Sequence, residues 1–188
     1  MSLFEFVSVI IAVILALSLG QLLLGVSALV KARRQVQGFL PHTLWLGAVF
    51  LGILAHWWAQ WDFRDLEWTY PGFIYVVLGP TLLFFAVTLL IPDRIGEGSI
   101  NLKDHFLGVR RVFMLVMLAF IILAWFDGPL LQGQAVFGRL GWLHIGWIGV
   151  LLVGIRTDDT RANALAAAAW IVLVMFAWVV RFFPGTFG

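Results

Sequence analysis

The chain of 188 residues contains no cysteine, and only 12% of its residues are charged. Without cysteine the protein has no disulfide, no thiolate metal site and no cysteine nucleophile. A soluble domain carries about 25% charged residues, whereas this chain is 62% hydrophobic. Such a surface would aggregate in water, which predicts that the protein lies in lipid. The net charge of +2 is small and the basic residues are dispersed, so no nucleic-acid partner is indicated.

Common catalytic motifs are also missing. The sequence has no glycine-rich phosphate loop, no HExxH zinc helix, no nucleophile elbow and no internal repeat. No lysine lies inside an apolar run, where it would bind retinal as a Schiff base. Because no reacting constellation is evident, we favour a protein that is not an enzyme.

Six apolar runs are long enough to cross a hydrocarbon core, which needs about 20 helical residues. They cover residues 6–30, 40–61, 70–91, 106–126, 137–155 and 162–183. The loops between them are short, so consecutive helices are expected to pack as antiparallel neighbours. The sequence therefore predicts an all-α fold with one domain, a bundle of six transmembrane helices over residues 1–188.

Basic residues are divided unevenly between the two ends of this bundle. Nine lie at the end that follows spans one, three and five: Lys31, Arg33, Arg34, Arg94, Lys103, Arg110, Arg111, Arg156 and Arg161. Three lie at the other end: Arg64, Arg139 and Arg181. Basic loops stay in the cytoplasm, so both termini are predicted to face outward. Tryptophans at the outer end fit an aromatic belt at the lipid boundary: Trp57, Trp58, Trp61, Trp68, Trp125 and Trp178.

Two histidines lie inside the predicted spans near the outer end. Gly52, His56 and Gln60 are spaced by four and share one helix face. At 1.5 Å per residue, His56 lies roughly 8 Å and His144 roughly 10 Å below the outer end of their spans. If spans two and five touch, both imidazoles converge on one outer pocket.

Several uses of these histidines stay open. Each imidazole has a structural role if it makes a local hydrogen bond, but intramembrane ionisable groups are also functional candidates. The pair is able to shuttle protons or sense pH, to bind a metal with Glu5 or Asp62 as third ligand, or to ligate haem b between two helices. No cofactor is firmly predicted.

Polar and small residues elsewhere add further expectations. Gln21 is deep in span one and should face another helix, because an unpaired amide is costly in hydrocarbon. Ala12, Ala16 and Gly20, at spacings of four, favour close helix packing, within the chain or with a partner. In span three, Gly79 and Pro80 predict a kink or hinge.

Several residues at the inner end are predicted to lie on the surface. Arg110 and Arg111 are predicted to reach lipid phosphates; the alternative is an ion pair with Asp93, Asp104, Asp158 or Asp159. We expect His42 and His105 to be surface residues as well.

Four stretches carry a family resemblance: "SLGQLLLGVSALV", "HWWAQWDFRDLEWTYPGF", "LGPTLLFFAVTLLIPD" and "HFLGVRRVF". In order and spacing they resemble a family of uncharacterised bacterial six-helix inner-membrane proteins. The resemblance covers most of the chain up to "GIRTDD". It implies a bacterial inner (plasma) membrane with periplasmic termini, and it implies no activity.

Three functions follow as hypotheses. The first, which we favour, is a channel or transporter for a small solute or ion. Its outer vestibule or proton path would comprise Glu5, Gln21, His56, Gln60, Asp62 and His144. The second is a non-catalytic subunit of a larger membrane complex, or a homo-oligomer. The third is a membrane redox protein with a bis-histidine haem or a quinone site.

Overall fold

A computed structural model describes residues 2–93, 99–137 and 141–182, with the backbone alone for residues 181 and 182. Arg94, Arg139 and the predicted span ends at 138–140 and 183 lie outside the described residues. Six α-helices occur in the described part of the chain: α1 Leu3–Lys31, α2 Leu40–Ala59, α3 Tyr70–Leu90, α4 Leu102–Gln132, α5 Gly141–Arg156 and α6 Thr160–Phe182. The all-α prediction is confirmed.

Local sequence signals start and stop these helices. Ser2 and Glu5 form a capping box at α1, in which Oγ of Ser2 accepts from the Glu5 amide at 3.1 Å. The hydroxyl of Thr69 caps α3, and the side chain of Asn101 caps α4. Gly133 ends α4 with a φ of 64°, in the left-handed region that glycine adopts without a steric penalty.

Several predicted boundaries differ from the structure, most of all those of span four. Helix α4 is longer than the predicted span 106–126 at both ends. It continues past Asp127, the first acidic residue after the apolar run, and through Pro129 to Gln132. After α2, a 3-10 helix at Gln60–Phe63 carries the chain two residues past the predicted end of span two.

Five helices, α1, α2 with its 3-10 extension, α3, α4 and α6, are long and apolar enough to cross a membrane. Helix α5 is also apolar, but its 16 described residues span only about 24 Å at 1.5 Å per residue. Large apolar side chains such as Leu24 and Leu165 point outward. This pattern is consistent with an integral membrane protein, in which lipid covers the outer surface.

The helices α2, α3, α4, α5 and α6 form a closed ring, each packed against the next, with α6 returning to α2. Helix α1 lies outside this ring against α3 and α2. Inside the ring, the Trp45 ring packs on Phe113 at 5.2 Å and on Trp170 at 5.8 Å between centroids. At the inner end, the strands β1 Val36–Gln37 and β2 Ile100–Asn101 pair in parallel.

Candidate functional site

A partly open cavity of about 230 Å³ lies among the helices of the ring, at the end where α2 and α4 finish and α5 begins. Helices α2, α4, α5 and α6 line it. Its titratable lining residues are His56, Asp127 and His144, and the rest of the wall is apolar, with five aromatic residues in it: Trp58, Phe120, Trp147, Trp170 and Trp178. A concave, largely apolar space with a few polar groups is typical of a small-molecule site.

His56 is fixed on three sides. It is 9% exposed, and its ring meets Phe120 edge-on at 5.5 Å between centroids. The side-chain amide of Gln60, one turn further along, donates to Nε2 of His56 at 3.0 Å. On the third side Gly79 of α3 leaves space, because a Cβ there would lie 2.9 Å from Cε1 of His56. The ring therefore depends on a glycine of the neighbouring helix for its position.

His144 reaches the same cavity from α5. Its ring stacks on Trp125 of α4, with centroids 5.7 Å apart and planes 9° apart, and meets Trp147 edge-on at 5.4 Å. Helix α5 packs against α4 and α6. His56 and His144 thus line one cavity from different sides of the ring, although α2 and α5 are not neighbours in it. Contact between spans two and five, on which the prediction of a common pocket depended, is not needed.

Asp127 is a cavity residue that sequence reasoning missed. The predicted span four stopped at Phe126, which left Asp127 to the following loop. In the structure α4 continues, and Asp127 lines the cavity two helical turns beyond Phe120. That spacing of seven residues, which places both side chains on one helix face, was a usable signal. No hydrogen bond or ion pair to Asp127 occurs among the described residues.

A second, much smaller cavity adjoins the first. It measures about 10 Å³ and is lined by His56, Gln60, Tyr75 and Asp127 among others. The Tyr75 hydroxyl donates to the Leu123 carbonyl at 2.6 Å. This volume is at the lower limit for one water molecule.

Aromatic rings form a continuous wall along the cavity. The rings of Trp147 and Trp170 lie 6.0 Å apart between centroids, and Trp170 is 1% exposed. Within the described part of the chain, neither indole N–H has a hydrogen-bond partner. The tryptophans that were predicted to form an outer aromatic belt lie in different environments. Trp57 and Trp61 are exposed, as a belt at the lipid boundary requires, whereas Trp178 lines the cavity.

Other predicted vestibule residues lie away from the cavity. Glu5 is exposed and accepts from the Ser2 amide in the capping box at 2.8 Å. Asp62 is exposed in the 3-10 helix. Gln21 faces α3, as its burial cost required, and its side-chain oxygen accepts from the Thr88 hydroxyl at 3.3 Å.

The small residues of α1 do not form its buried face. Ala16 is exposed, and a Cβ placed on Gly20 would meet nothing within 4 Å. Ala12 instead borders a groove of about 580 Å³ between α1 and α2. That groove is larger than the ring cavity, and apolar side chains form most of its lining.

Pro80 lies inside α3 without interrupting it, and the neighbouring Thr81 hydroxyl donates to the Val77 carbonyl at 2.8 Å. Pro80 has no N–H to donate to the Val76 carbonyl four residues earlier, and the Thr81 hydroxyl bonds to the carbonyl that follows it. A hinge at Gly79 and Pro80 stays a prediction, while the contact with His56 gives Gly79 a packing role.

The lipid-contact prediction is wrong for Arg110. Its side chain is 1% exposed, forms an ion pair with Asp158 and donates to the Thr157 carbonyl. The side-chain amide of Asn163 donates to the same carbonyl at 2.9 Å. The loop between α5 and α6 folds over Arg110 and withdraws it from lipid. Arg111, one residue on, is exposed and stays a candidate for lipid contact.

The surface prediction is also wrong for His42, which is 1% exposed. Its Nε2 lies 2.7 Å from the Leu90 carbonyl at the end of α3, and Nε2 of His105 lies 3.1 Å from the same oxygen. Both histidines cap a helix end, where carbonyls have no partner within the helix.

The predicted metal and haem sites find little support in the geometry. Within residues 2–93, 99–137 and 141–182, no three histidine or acidic side chains lie close enough to hold a metal ion. At about 230 Å³, the cavity is smaller than the roughly 300–1,000 Å³ of drug-sized sites. Nε2 of His56, an atom that would bind iron, is occupied by Gln60. The space fits a small solute better than a macrocycle.

Comparisons with known proteins add no identity. No family model, no curated protein and no solved structure matches this chain. The candidate function therefore depends on the geometry of the cavity.

Proposed function

We propose that the protein binds a small solute in the cavity between α2, α4, α5 and α6 and passes it across the membrane as a channel or transporter. The observation that carries this proposal is the convergence of His56, Asp127 and His144 on one partly open cavity. Ionisable groups are costly at membrane depth and mark solute or proton paths where they occur.

The orientation forms part of the proposal. Lys31, Arg110 and Arg156 belong to the ends of α1, α4 and α5 that lie opposite the cavity. The excess of basic residues at that end favours a cytoplasmic position. The cavity then opens toward the periplasm of a bacterial inner membrane, as the resemblance to bacterial six-helix proteins implies.

An osmotic swelling assay tests this proposal across several classes of solute at once. Proteoliposomes are moved into isotonic glycerol, urea, choline chloride or potassium acetate, and light scattering reports solute entry. We expect at least one solute to enter faster than in protein-free liposomes. His56→Ala and His144→Ala should change that rate, whereas the matched inner-end variant His105→Ala should not. Equal rates for all three variants and the unmodified protein would contradict the proposal.

A partner is the second candidate, and the outer position of α1 favours it. Ala16 and Gly20 lie on a face of α1 that meets no other part of the described bundle closely. A second copy or another membrane protein is able to approach that face. Mass measurement in mild detergent tests this candidate: we expect a dimer or larger species, and Gly20→Leu should dissociate it. An absorbance spectrum of the same sample tests the haem alternative, which requires a Soret band.

A further inference from the structure

The cavity wall combines one acidic side chain with several aromatic rings. Asp127 is its one carboxyl group, and no lysine or arginine belongs to the wall among the described side chains. The two ion pairs found in the described residues, Arg64–Asp65 and Arg110–Asp158, lie elsewhere. An occupant that complements this wall carries positive charge, because an unpaired carboxylate in an apolar site is destabilising.

An inorganic cation does not suit this wall. Ca²⁺ takes six to eight oxygen ligands, and Mg²⁺ requires near-octahedral oxygen coordination. The described lining residues supply the Asp127 carboxylate as the sole charged oxygen group. A primary ammonium ion needs three hydrogen-bond acceptors. The acceptors among the described lining side chains are the Asp127 carboxylate and the imidazoles of His56 and His144, and Gln60 already occupies Nε2 of His56. An alkylated ammonium ion avoids both requirements, because its charge is covered by methyl groups.

Aromatic faces recognise alkylated ammonium ions through cation–π attraction, and aromatic cages are the common site for them. Here Trp147 and Trp170 line the cavity beside each other, with Trp58, Trp178 and Phe120 completing its wall. A cation with a methylated head fits these features.

The size of the cavity agrees with this chemistry. Its volume is about 230 Å³. At about 30 Å³ for each molecule of liquid water, it has room for about seven water molecules. Choline has about seven non-hydrogen atoms, which are bonded and therefore occupy less volume, so it fits inside.

We propose that the cavity between α2, α4, α5 and α6 binds a small quaternary ammonium ion, with Asp127 as its counter-charge and the tryptophans as its cage. This inference rests on the proposed function, since it names the class of solute that enters the same cavity.

The test compares choline with its uncharged isostere 3,3-dimethyl-1-butanol on the purified full chain in detergent. Binding is followed by tryptophan fluorescence, because four tryptophans line the cavity. We expect saturable binding of choline and binding of the isostere weaker by about 30-fold, the ratio that a desolvated cation–π site provides. Asp127→Asn should weaken choline binding by at least about tenfold. The control Asp65→Asn, a matched change on the exposed connection after the 3-10 helix, should leave it unchanged.

Each other outcome overturns the proposal in a distinct way. Equal affinity for choline and the isostere would assign the cavity to neutral solutes. Displacement of choline by potassium chloride at equal concentration, but not by the chloride salt of a bulky sugar amine, would assign it to inorganic cations. If Asp127→Asn leaves choline binding unchanged, Asp127 is not the counter-charge of the bound cation. Absence of choline binding would refute the ammonium proposal alone, because the swelling assay with glycerol and urea decides solute passage independently.

Discussion

Gly79→Ala is the perturbation that most directly tests how the site is built. An added Cβ at position 79 lies 2.9 Å from Cε1 and 3.1 Å from Nε2 of the His56 ring. Real Cβ contacts are essentially never below 3.0 Å, so the ring must move. It cannot retreat easily, since Phe120 meets it at 5.5 Å on another side and Gln60 holds Nε2 at 3.0 Å.

The expected cost combines three contributions. Overpacking a filled site destabilises by about 1–3 kcal/mol. Breaking the hydrogen bond between Gln60 and His56 adds about 0.5–1.5 kcal/mol. Replacing glycine by alanine inside a helix returns about 1 kcal/mol. The sum predicts that Gly79→Ala lowers the free energy of unfolding by about 2 kcal/mol.

The assay is unfolding in mixed micelles titrated with SDS, followed by circular dichroism. Gly47→Ala is the matched control, because a Cβ at position 47 of α2 meets nothing within 4 Å; it should stabilise the protein by up to about 1 kcal/mol. His56→Ala should relieve most of the cost of Gly79→Ala in the double variant, since it removes the ring that collides. If Gly79→Ala is as stable as Gly47→Ala, or if the double variant shows no such relief, the packing explanation of Gly79 is wrong.

Two further predictions concern the inner end and the orientation. Arg110→Ala should lower the free energy of unfolding by about 3 kcal/mol, because it removes a large buried side chain together with its charge-assisted hydrogen bond to the Thr157 carbonyl. The exposed neighbour Arg111→Ala should stay within about 0.5 kcal/mol of the unmodified protein in the same SDS titration, and equal losses would contradict the burial of Arg110. Because the chain has no cysteine, the variants Asp62→Cys and Lys103→Cys each carry a single thiol. The two thiols lie at opposite ends of the bundle. A membrane-impermeant maleimide should label position 62 in intact spheroplasts and position 103 only after permeabilisation; the reverse pattern would invert the topology.

Much of the candidate site followed from helix periodicity. Gln60 is four residues after His56, and this spacing placed both on one face and led to the observed hydrogen bond. His144 was matched to His56 by its depth below the outer end, and both line the cavity. Asp127 was missed because an acidic residue before Gly128 and Pro129 read as the end of a span, whereas α4 continues beyond it.

Burial of polar groups was the property that the sequence predicted least well. Positions near span ends suggested that Arg110 and His42 lie on the surface. Both are buried because parts distant in the chain cover them: the loop after α5 carries Asp158 to Arg110, and the end of α3 presents the Leu90 carbonyl to His42.

Hydropathy along the chain was enough to predict long apolar helices, and roughly where each begins and ends. Hydrocarbon solvates no free backbone N–H or C=O groups, so a run of about 20 apolar residues has the helix as its only stable single-chain form. Which helices meet became apparent only from the folded bundle. Packing α6 against α2 closes the ring, and His56, Asp127 and His144 come to line one cavity. That arrangement depends on contacts between distant residues, such as Trp45 with Trp170, whose fit no local pattern in the chain specifies.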